Sequence, residues 1–317
     1  MTRRQLDCPG LIDTLPLFRG QVTASYGRQL AVELPDGRII TCVTRGRKTG
    51  VACGDHVQVR LTESTHGVLE AVMPRTSLLY RSDAFREKII AANVTQIIIV
   101  VAAVPSFYEE LLNHCLIAAE AAGIKALIVL NKSDMVAQTQ QALKVLQLYC
   151  DIGYKLVTLC AGQDAQVRWA QGCAGAAAKQ DVAALRPYLD GHTSVLVGQS
   201  GMGKSSIISA LLPDLRIRTA AISTALDSGV HTTTAAHLYH LDANSHVIDS
   251  PGLQEFGLHH FDRAQIEHAF IEFRPYLGAC KFNDCTHRHE PGCRVLQAVS
   301  EGKIDARRLA AYHALVM

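Results

Sequence analysis

The sequence of 317 residues lacks an apolar run long enough to cross a membrane. Its longest run, IIIVVAAV from Ile97, has the length of a buried strand, whereas a membrane-spanning helix needs about 20 apolar residues. The N-terminal stretch MTRRQLDCPG has no apolar segment behind its arginines, so we expect no secretory signal peptide. We therefore expect a cytoplasmic protein with no membrane partner, whose ten cysteines stay reduced.

The sequence also lacks a strong excess of charge of either sign. The formal net charge is +2 at pH 7, so any contact with nucleic acid must come from a local basic patch. Apolar residues make up 48% of the chain, which indicates a folded protein, and the length is sufficient for two or three domains.

Three regions differ in their sequence patterns, at 1–85, 86–258 and 259–317. The first has short strand-like stretches with turn signals such as Asp36-Gly37 between them, which predicts a five-stranded OB-fold barrel, with an SH3-like barrel as the alternative. The second alternates apolar strands with helical patterns, which predicts a parallel α/β sheet. The third predicts helices around a cluster of cysteine and histidine.

A motif that could recognise a nucleotide base follows an apolar strand in ALIVLNKSDMV. In Asn131-Lys132-Ser133-Asp134, the Asp134 carboxylate would accept hydrogen bonds from N1–H and the exocyclic amine of guanine. Asn131 and the Lys132 stem would pack around the base. Adenine offers no such donors, which argues against the alternative of a P-loop kinase or ATPase. A guanine-binding motif also requires a phosphate-binding loop, and no such pattern lies upstream.

The phosphate-binding pattern lies downstream, at GQSGMGKS, after the strand SVLV and before the apolar helix SIISALL. In such a P-loop, backbone N–H groups surround the β-phosphate at a helix N-terminus. Lys204 would reach the β- and γ-phosphate oxygens and assist catalysis, and Ser205 would bind Mg²⁺. The flanking strand and helix disfavour the alternative of an ordinary glycine-rich turn. The predicted nucleotide-binding residues here are Gly198, Gln199, Ser200, Gly201, Met202, Gly203, Lys204, Ser205 and Ser206.

Two shorter motifs complete the predicted Mg²⁺ and γ-phosphate site. HVIDSPG places Asp249 where an acidic residue holds the Mg²⁺ water shell, and Gly252 where its N–H would face the γ-phosphate. In SGVHTTT, one threonine, which we assign to Thr233, would complete the Mg²⁺ shell from a switch loop. Alone, the first motif could be a common turn and the second a strand edge.

The order of the motifs is unusual, because the base-recognition motif comes last in ordinary GTPases and first here. The sequence therefore predicts a circularly permuted GTPase domain whose loops converge at one sheet edge. One strand after NKSD, Cys160-Ala161 stand where Ser-Ala is more usual and are expected to back the base.

Leu253 stands where many GTPases have a glutamine that orients the attacking water. We therefore expect slow intrinsic hydrolysis unless another group or a partner supplies this function. His231 is the best internal candidate, with an ordinary surface histidine as the alternative interpretation. Gln254 is a weaker candidate because it lies one position off.

The stretch CKFNDCTHRHEPGC has the spacing C-x4-C-x-H-x5-C. Its candidate ligands are Cys280, Cys285, His287 and Cys293. Three thiolates and one imidazole suit a closed tetrahedral Zn²⁺ site with a structural role. A disulfide pair, or His289 in place of His287, are the alternatives, and a reducing compartment disfavours the disulfide.

In this order, the β-barrel, NKSD, GQSGMGKSS, GVHTTT, DSPG and the cysteine–histidine motif resemble the RsgA family, also called YjeQ or YloQ. That family consists of circularly permuted GTPases that act in late maturation of the bacterial small ribosomal subunit. The resemblance implies an OB-fold domain, a permuted G domain, a zinc-binding C-terminal domain, and slow GTP hydrolysis that the subunit stimulates. It implies that His231 assists hydrolysis and that Leu253 replaces the glutamine.

RNA contact is expected from the predicted barrel. Arg45, Arg47 and Lys48 cluster in TRGRKTG, where phosphate contacts would depend on salt, and a solvated basic turn is the alternative. We expect a monomer that binds GTP or GDP, Mg²⁺ with GTP, one structural Zn²⁺, and the small ribosomal subunit with its rRNA. A zinc-stabilised RNA-binding protein with a regulatory nucleotide site is the alternative function.

Overall fold

The computed structural model describes residues 16–26, 29–44, 50–83, 86–161, 182–212, 236–250, 258 and 260–316. The strands are β1 (Leu17–Tyr26), β2 (Gln29–Glu33), β3 (Ile39–Thr44), β4 (His56–Leu61), β5 (His66–Val72), β6 (Leu78–Asp83), β7 (Arg86–Ala92), β8 (Gln96–Ala102), β9 (Lys125–Asn131), β10 (Lys155–Thr158), β11 (Thr193–Val197), β12 (His237–His240) and β13 (His246–Asp249). The helices are α1 (Glu109–Ala121), α2 (Val136–Ile152), α3 (Arg186–Leu189), α4 (Lys204–Leu211), α5 (Arg263–Ala269), α6 (Arg294–Ser300) and α7 (Ala306–Leu315). Short 3₁₀ turns lie at Val182–Leu185 and Arg274–Tyr276.

The first five strands close into a barrel. β1 pairs antiparallel with both β2 and β4, β2 pairs with β3, and β4 pairs with β5. The parallel pair of β3 and β5 completes the ring in the order β1-β2-β3-β5-β4. Alternating apolar side chains fill its interior, including Val22, Val32, Ile40, Val57, Val59 and Leu69. The predicted OB-fold barrel is thereby confirmed.

A mainly parallel sheet forms the centre of the molecule, in the order β10-β9-β8-β11-β13-β12. Only β12 runs antiparallel to its neighbour in this layer. Every residue of β8 is buried, as expected for a strand covered on both faces. Ile97 and Ile99 pack with α1 and α2, whereas Ile98 and Val100 pack with α4 on the other face. The predicted α/β alternation is confirmed.

The barrel and the central sheet are joined by direct strand pairing. Ala24 of β1 pairs with His237 of β12, so the barrel strands and the central sheet form one continuous hydrogen-bonded system. A two-stranded hairpin of β6 and β7 lies between them in the chain. The predicted division between 85 and 86 falls within this hairpin.

The C-terminal helices pack on the face of the sheet that carries α1. Ile266, Phe270, Phe273 and Tyr312 belong to the same apolar core as the buried residues of α1. Asp262 starts α5 with a reciprocal capping interaction, which satisfies backbone donors at the helix end. The predicted helical C-terminal region is confirmed. Across the described ranges, no helix combines the length and apolar character that membrane crossing requires.

The topology places the predicted motifs at one edge of the sheet. Asn131 ends β9 and Asp249 ends β13. Gly198 follows β11 directly, and Cys160 lies two residues after β10. Since the carboxyl ends of parallel strands meet at a common edge, where open α/β sheets bind ligands, the permuted chain order still brings these loops together.

Candidate functional site

The side chain of Asn131 joins two loops of the candidate nucleotide site. This residue is only 2% exposed. Its Nδ2 donates to the Met202 carbonyl at 2.9 Å, and its Oδ1 accepts from the Ala161 N–H at 3.1 Å. The base-recognition motif, the P-loop and the loop after β10 are therefore held by one buried amide. The sequence places Asn131 against the base, whereas in the structure its polar atoms position the neighbouring loops.

The Asp134 carboxylate lies open to solvent at the same edge. One of its oxygens accepts from the Cys160 thiol at 3.2 Å, and the backbone N–H of Ser133 donates to the Leu159 carbonyl at 3.2 Å. The motif is thus tied to the loop after β10 through both side chain and backbone. This arrangement leaves the carboxylate available for a ligand with two adjacent N–H donors.

The P-loop can approach Asn131 closely because Gly203 has no side chain. This residue has φ +91°, in the left-handed region, and a Cβ there would collide with the Asn131 amide nitrogen. The neighbouring Met202 is 1% exposed and anchors the loop in the core. Ser205 and Ser206 follow in the first turn of α4, where both are exposed. Backbone and hydroxyl donors of that turn are therefore accessible to an anion.

Lys204 and Asp249 form the charged part of the site. The Lys204 ammonium donates to the carbonyls of Gly198 and of Gln199, the latter at 2.8 Å. Burial lowers the pKa of Lys204, an effect that nearby Asp249 opposes. Burial likewise raises the pKa of Asp249, and here Lys204 opposes the shift. Both charges are therefore partly desolvated, which strengthens their attraction for a phosphate or a divalent cation.

Lys132 has a backbone φ of +60°, and its ammonium donates to the Val104 carbonyl at 2.8 Å. The contact fixes the stem of this side chain beside the segment after β8. That segment had no assigned role in the sequence patterns, and no motif indicated it.

Several predicted residues lie outside the described part of the chain. They are Arg45, Arg47 and Lys48 of the basic loop, His231 and Thr233 of the switch motif, and Gly252, Leu253 and Gln254 after Asp249. Their assignments remain predictions from the sequence.

The four predicted metal ligands lie together in the C-terminal region. Their candidate ligand atoms all lie within 4.8 Å of one another. Nδ1 of His287 is 3.2 Å from Sγ of Cys293, 3.4 Å from Sγ of Cys285 and 3.7 Å from Sγ of Cys280. None of the described cysteines forms a disulfide, and His289 is exposed outside the group. These three thiols and one imidazole could hold a metal ion.

Glu267 of α5 orients the imidazole in this cluster. Its Oε1 lies 2.5 Å from Nε2 of His287, which directs Nδ1 towards the thiols. Tyr312 donates to the same carboxylate oxygen at 3.2 Å. Carboxylates of this kind fix the orientation of metal-bound histidines and increase their basicity. Glu267 lies 20 residues from His287, so no local spacing in the sequence identifies it.

Three of the four candidate ligands, Cys285, His287 and Cys293, are buried, and Cys280 is partly buried. Burial raises the pKa of the thiols of Cys285 and Cys293. A metal cation would offset this cost by favouring the thiolate forms. The donor set therefore fits a cation with a preference for sulfur and imidazole nitrogen.

A base-recognition motif, a P-loop and an acidic strand end that meet in permuted chain order define a circularly permuted GTPase. The family model described as RsgA GTPase matches residues 72–259, and the chain belongs to that family. The predicted family and the predicted GTPase activity are confirmed.

Proteins named small ribosomal subunit biogenesis GTPase RsgA are similar over almost the whole chain. The protein of Nitrosospira multiformis is 50% identical over 303 residues, which cover 96% of this chain and 91% of that protein. The protein of Neisseria gonorrhoeae is 47% identical over 290 residues, which cover 92% of this chain and 89% of that protein.

Two solved structures share the fold. YjeQ from Thermotoga maritima has a TM-score of 0.69 and 27% identity, with 95% of this chain and 98% of that chain covered. YloQ, described as a circularly permuted GTPase, has a TM-score of 0.67 and 24% identity. The match covers 95% of this chain and 94% of that chain. The predicted permuted architecture is confirmed.

We expect Asn131→Ala to weaken GDP binding. The change leaves the Met202 carbonyl and the Ala161 N–H without their partner, and an unsatisfied buried group costs about 1–3 kcal/mol. The dissociation constant for a fluorescent GDP analogue should rise by roughly 10- to 100-fold. Asn244→Ala, at an exposed turn, is the matched control and should bind GDP as the wild type does. Equal affinities of the two variants would contradict this role of Asn131.

We expect Glu267→Gln to weaken metal binding by the cysteine–histidine cluster, since the glutamine cannot hold the imidazole as a carboxylate does. Loss of such a supporting group typically lowers metal affinity by about 10- to 100-fold. Zinc transfer to a chromogenic chelator measures this directly. Glu301→Gln removes an exposed carboxylate in the same region and should retain wild-type affinity. Identical zinc transfer from both variants would reject this role of Glu267.

Proposed function

We propose that this chain hydrolyses GTP as an assembly factor of the small ribosomal subunit, slowly alone and faster on the subunit. The observation that carries the proposal is the convergence of NKSD and the P-loop around Asn131 at one sheet edge, with Asp249 at the end of β13 near Lys204. The names of relatives up to 50% identical supply the ribosomal context.

The base would be selected by Asp134, whose carboxylate accepts from two adjacent donors of guanine. Cys160 and Ala161 would back the base, and the stem of Lys132 would lie along it. The backbone from Gly198 to Ser206 would surround the phosphates, since this loop leads into the N-terminus of α4. Lys204 would exchange its two carbonyl partners for phosphate oxygens.

Mg²⁺ would accompany bound GTP. Ser205, Thr233 and Asp249 are the proposed residues of its coordination shell, and Gly252 would donate its N–H to the γ-phosphate. The ion would supply charge stabilisation to the departing phosphate. The raised pKa of Asp249 supports this assignment, because a cation beside a buried carboxylate relieves its desolvation.

Hydrolysis requires a group that orients water, and Leu253 cannot do so. We assign this role to His231, whose imidazole could accept a hydrogen bond from the attacking water. The predicted slow intrinsic rate follows if His231 reaches the water only when the small subunit is bound. Ordering of a switch by a partner is an established way to complete such a site.

A structural Zn²⁺ held by Cys280, Cys285, His287 and Cys293 would stabilise the C-terminal helices. Four protein ligands leave no open coordination position, which suits a structural ion. The basic loop with Arg45, Arg47 and Lys48 would contact rRNA phosphates from the barrel. We further propose a cytoplasmic monomer with domains at 1–85, 86–258 and 259–317.

The test is GTP hydrolysis by the full chain with and without purified small ribosomal subunits at matched salt. We expect a large stimulation that Lys204→Ala abolishes, because the phosphates lose their principal cationic contact. Lys303→Ala removes an exposed lysine and should be stimulated like the wild type. Slow hydrolysis unchanged by subunits would favour an RNA-binding protein with a regulatory nucleotide site instead.

A further inference from the structure

Arg308 of α7 is a buried cation that belongs neither to the candidate nucleotide site nor to the cysteine–histidine cluster. Its side chain is 0% exposed. The guanidinium donates to the Glu272 carboxylate and to Oδ1 of Asn113. It also lies over the Phe270 ring, 4.5 Å from the centroid, and 5.8 Å from that of Tyr149. The group is therefore paired, hydrogen-bonded and stacked, as a buried charge must be.

These partners place Arg308 between the C-terminal helices and the GTPase core. Asn113 lies on α1 and also accepts from the Tyr149 hydroxyl of α2 at 3.1 Å. Two further ion pairs, which are more exposed, lie on either side of the Arg308–Asn113 contact along α1. Arg274 pairs with Glu120 in the last turn at 2.8 Å, and Arg307 pairs with Glu109 in the first turn at 3.3 Å. Exposed ion pairs contribute little to stability. Arg308 therefore makes the main polar contact between the C-terminal helices and α1.

The other end of the connection reaches the nucleotide site. Tyr108, immediately before α1, donates its backbone N–H to Oε1 of Gln199 in the P-loop at 3.0 Å. The Val104 carbonyl accepts from Lys132 of the base-recognition motif at 2.8 Å. The segment from 104 to 108 thus contacts both the phosphate loop and the base-recognition loop, and α1 continues directly from it.

We infer that α1 positions the nucleotide site and that Arg308 is a positioning residue that couples this site to the zinc-binding module, residues 260–316. The module packs against α1, and the segment from 104 to 108, which leads directly into α1, holds Gln199 and Lys132 in the arrangement that a guanine nucleotide requires. The inference rests on the proposed nucleotide site and gives the module a role in nucleotide affinity. Because coupling between two sites is reciprocal, bound nucleotide must stabilise the module by the same factor.

The first test replaces the buried ion pair with neutral groups of similar size, as Arg308→Met with Glu272→Gln. This double change avoids an unpaired buried carboxylate. Lys303→Met, which removes an exposed cation from the same module, is the matched control. We expect both proteins to retain wild-type zinc content. The dissociation constant for fluorescent GDP should rise by about fivefold or more in the double variant and should not change in Lys303→Met. A fivefold change is the lower end of the usual range for coupling between two sites.

The second test uses the wild-type protein, so that it tests the coupling between the nucleotide site and the module even if the double variant loses zinc. Hydrogen exchange of amides in α7 should slow when GDP is added. Retained zinc with unchanged GDP affinity in the double variant, or no GDP-dependent protection of α7, would overturn the inference. Normal GDP binding by the wild type would then leave the proposed nucleotide site intact. A wild type that fails to bind GDP would overturn both.

Discussion

The buried carboxamide of Asn131 is the interaction on which the candidate nucleotide site depends. It joins backbone groups that lie 30 and 71 residues further along the chain. A buried amide without partners would cost about 1–3 kcal/mol, so the three loops are stable together and unfavourable apart. Gly203 permits the approach, because any side chain there would occupy the space of the amide.

This constraint explains why chain order can change while the site persists. The motifs come from the carboxyl ends of parallel strands, and their proximity depends on the sheet rather than on the sequence of connections. Strand pairing with the barrel extends the same sheet through Ala24 and His237. The loops therefore project from a framework that is continuous between the two regions.

The C-terminal module uses polar groups in a different way. Glu267 and His287 support a compact ligand cluster, whereas Arg308 attaches the helices to α1. Both contacts are made by groups with little access to water, where electrostatic interactions are strong and unpaired groups are costly. Metal binding and docking of the module are therefore expected to support each other.

The sequence was sufficient to predict the barrel, the parallel sheet, the helical C-terminal region and the permuted GTPase class. Each of these has a local signal: turn residues, strand and helix periodicity, or ligand spacing. The roles of Glu267, Asn113 and Arg308 had no such signal, since their partners lie far away in the chain. The pairing of β1 with β12 was likewise beyond local patterns. His231 and Thr233 remain predictions, because they fall outside the described residues.

Competition binding with GDP and ADP on the unmodified full chain, in the presence of Mg²⁺, tests the central claim most directly. We expect GDP to displace a fluorescent guanine nucleotide and ADP to leave it bound, because only guanine would present two donors to Asp134. Loss of two hydrogen bonds to a charged group should separate the affinities by at least about 100-fold. Equal displacement by the two nucleotides would contradict guanine recognition at this site.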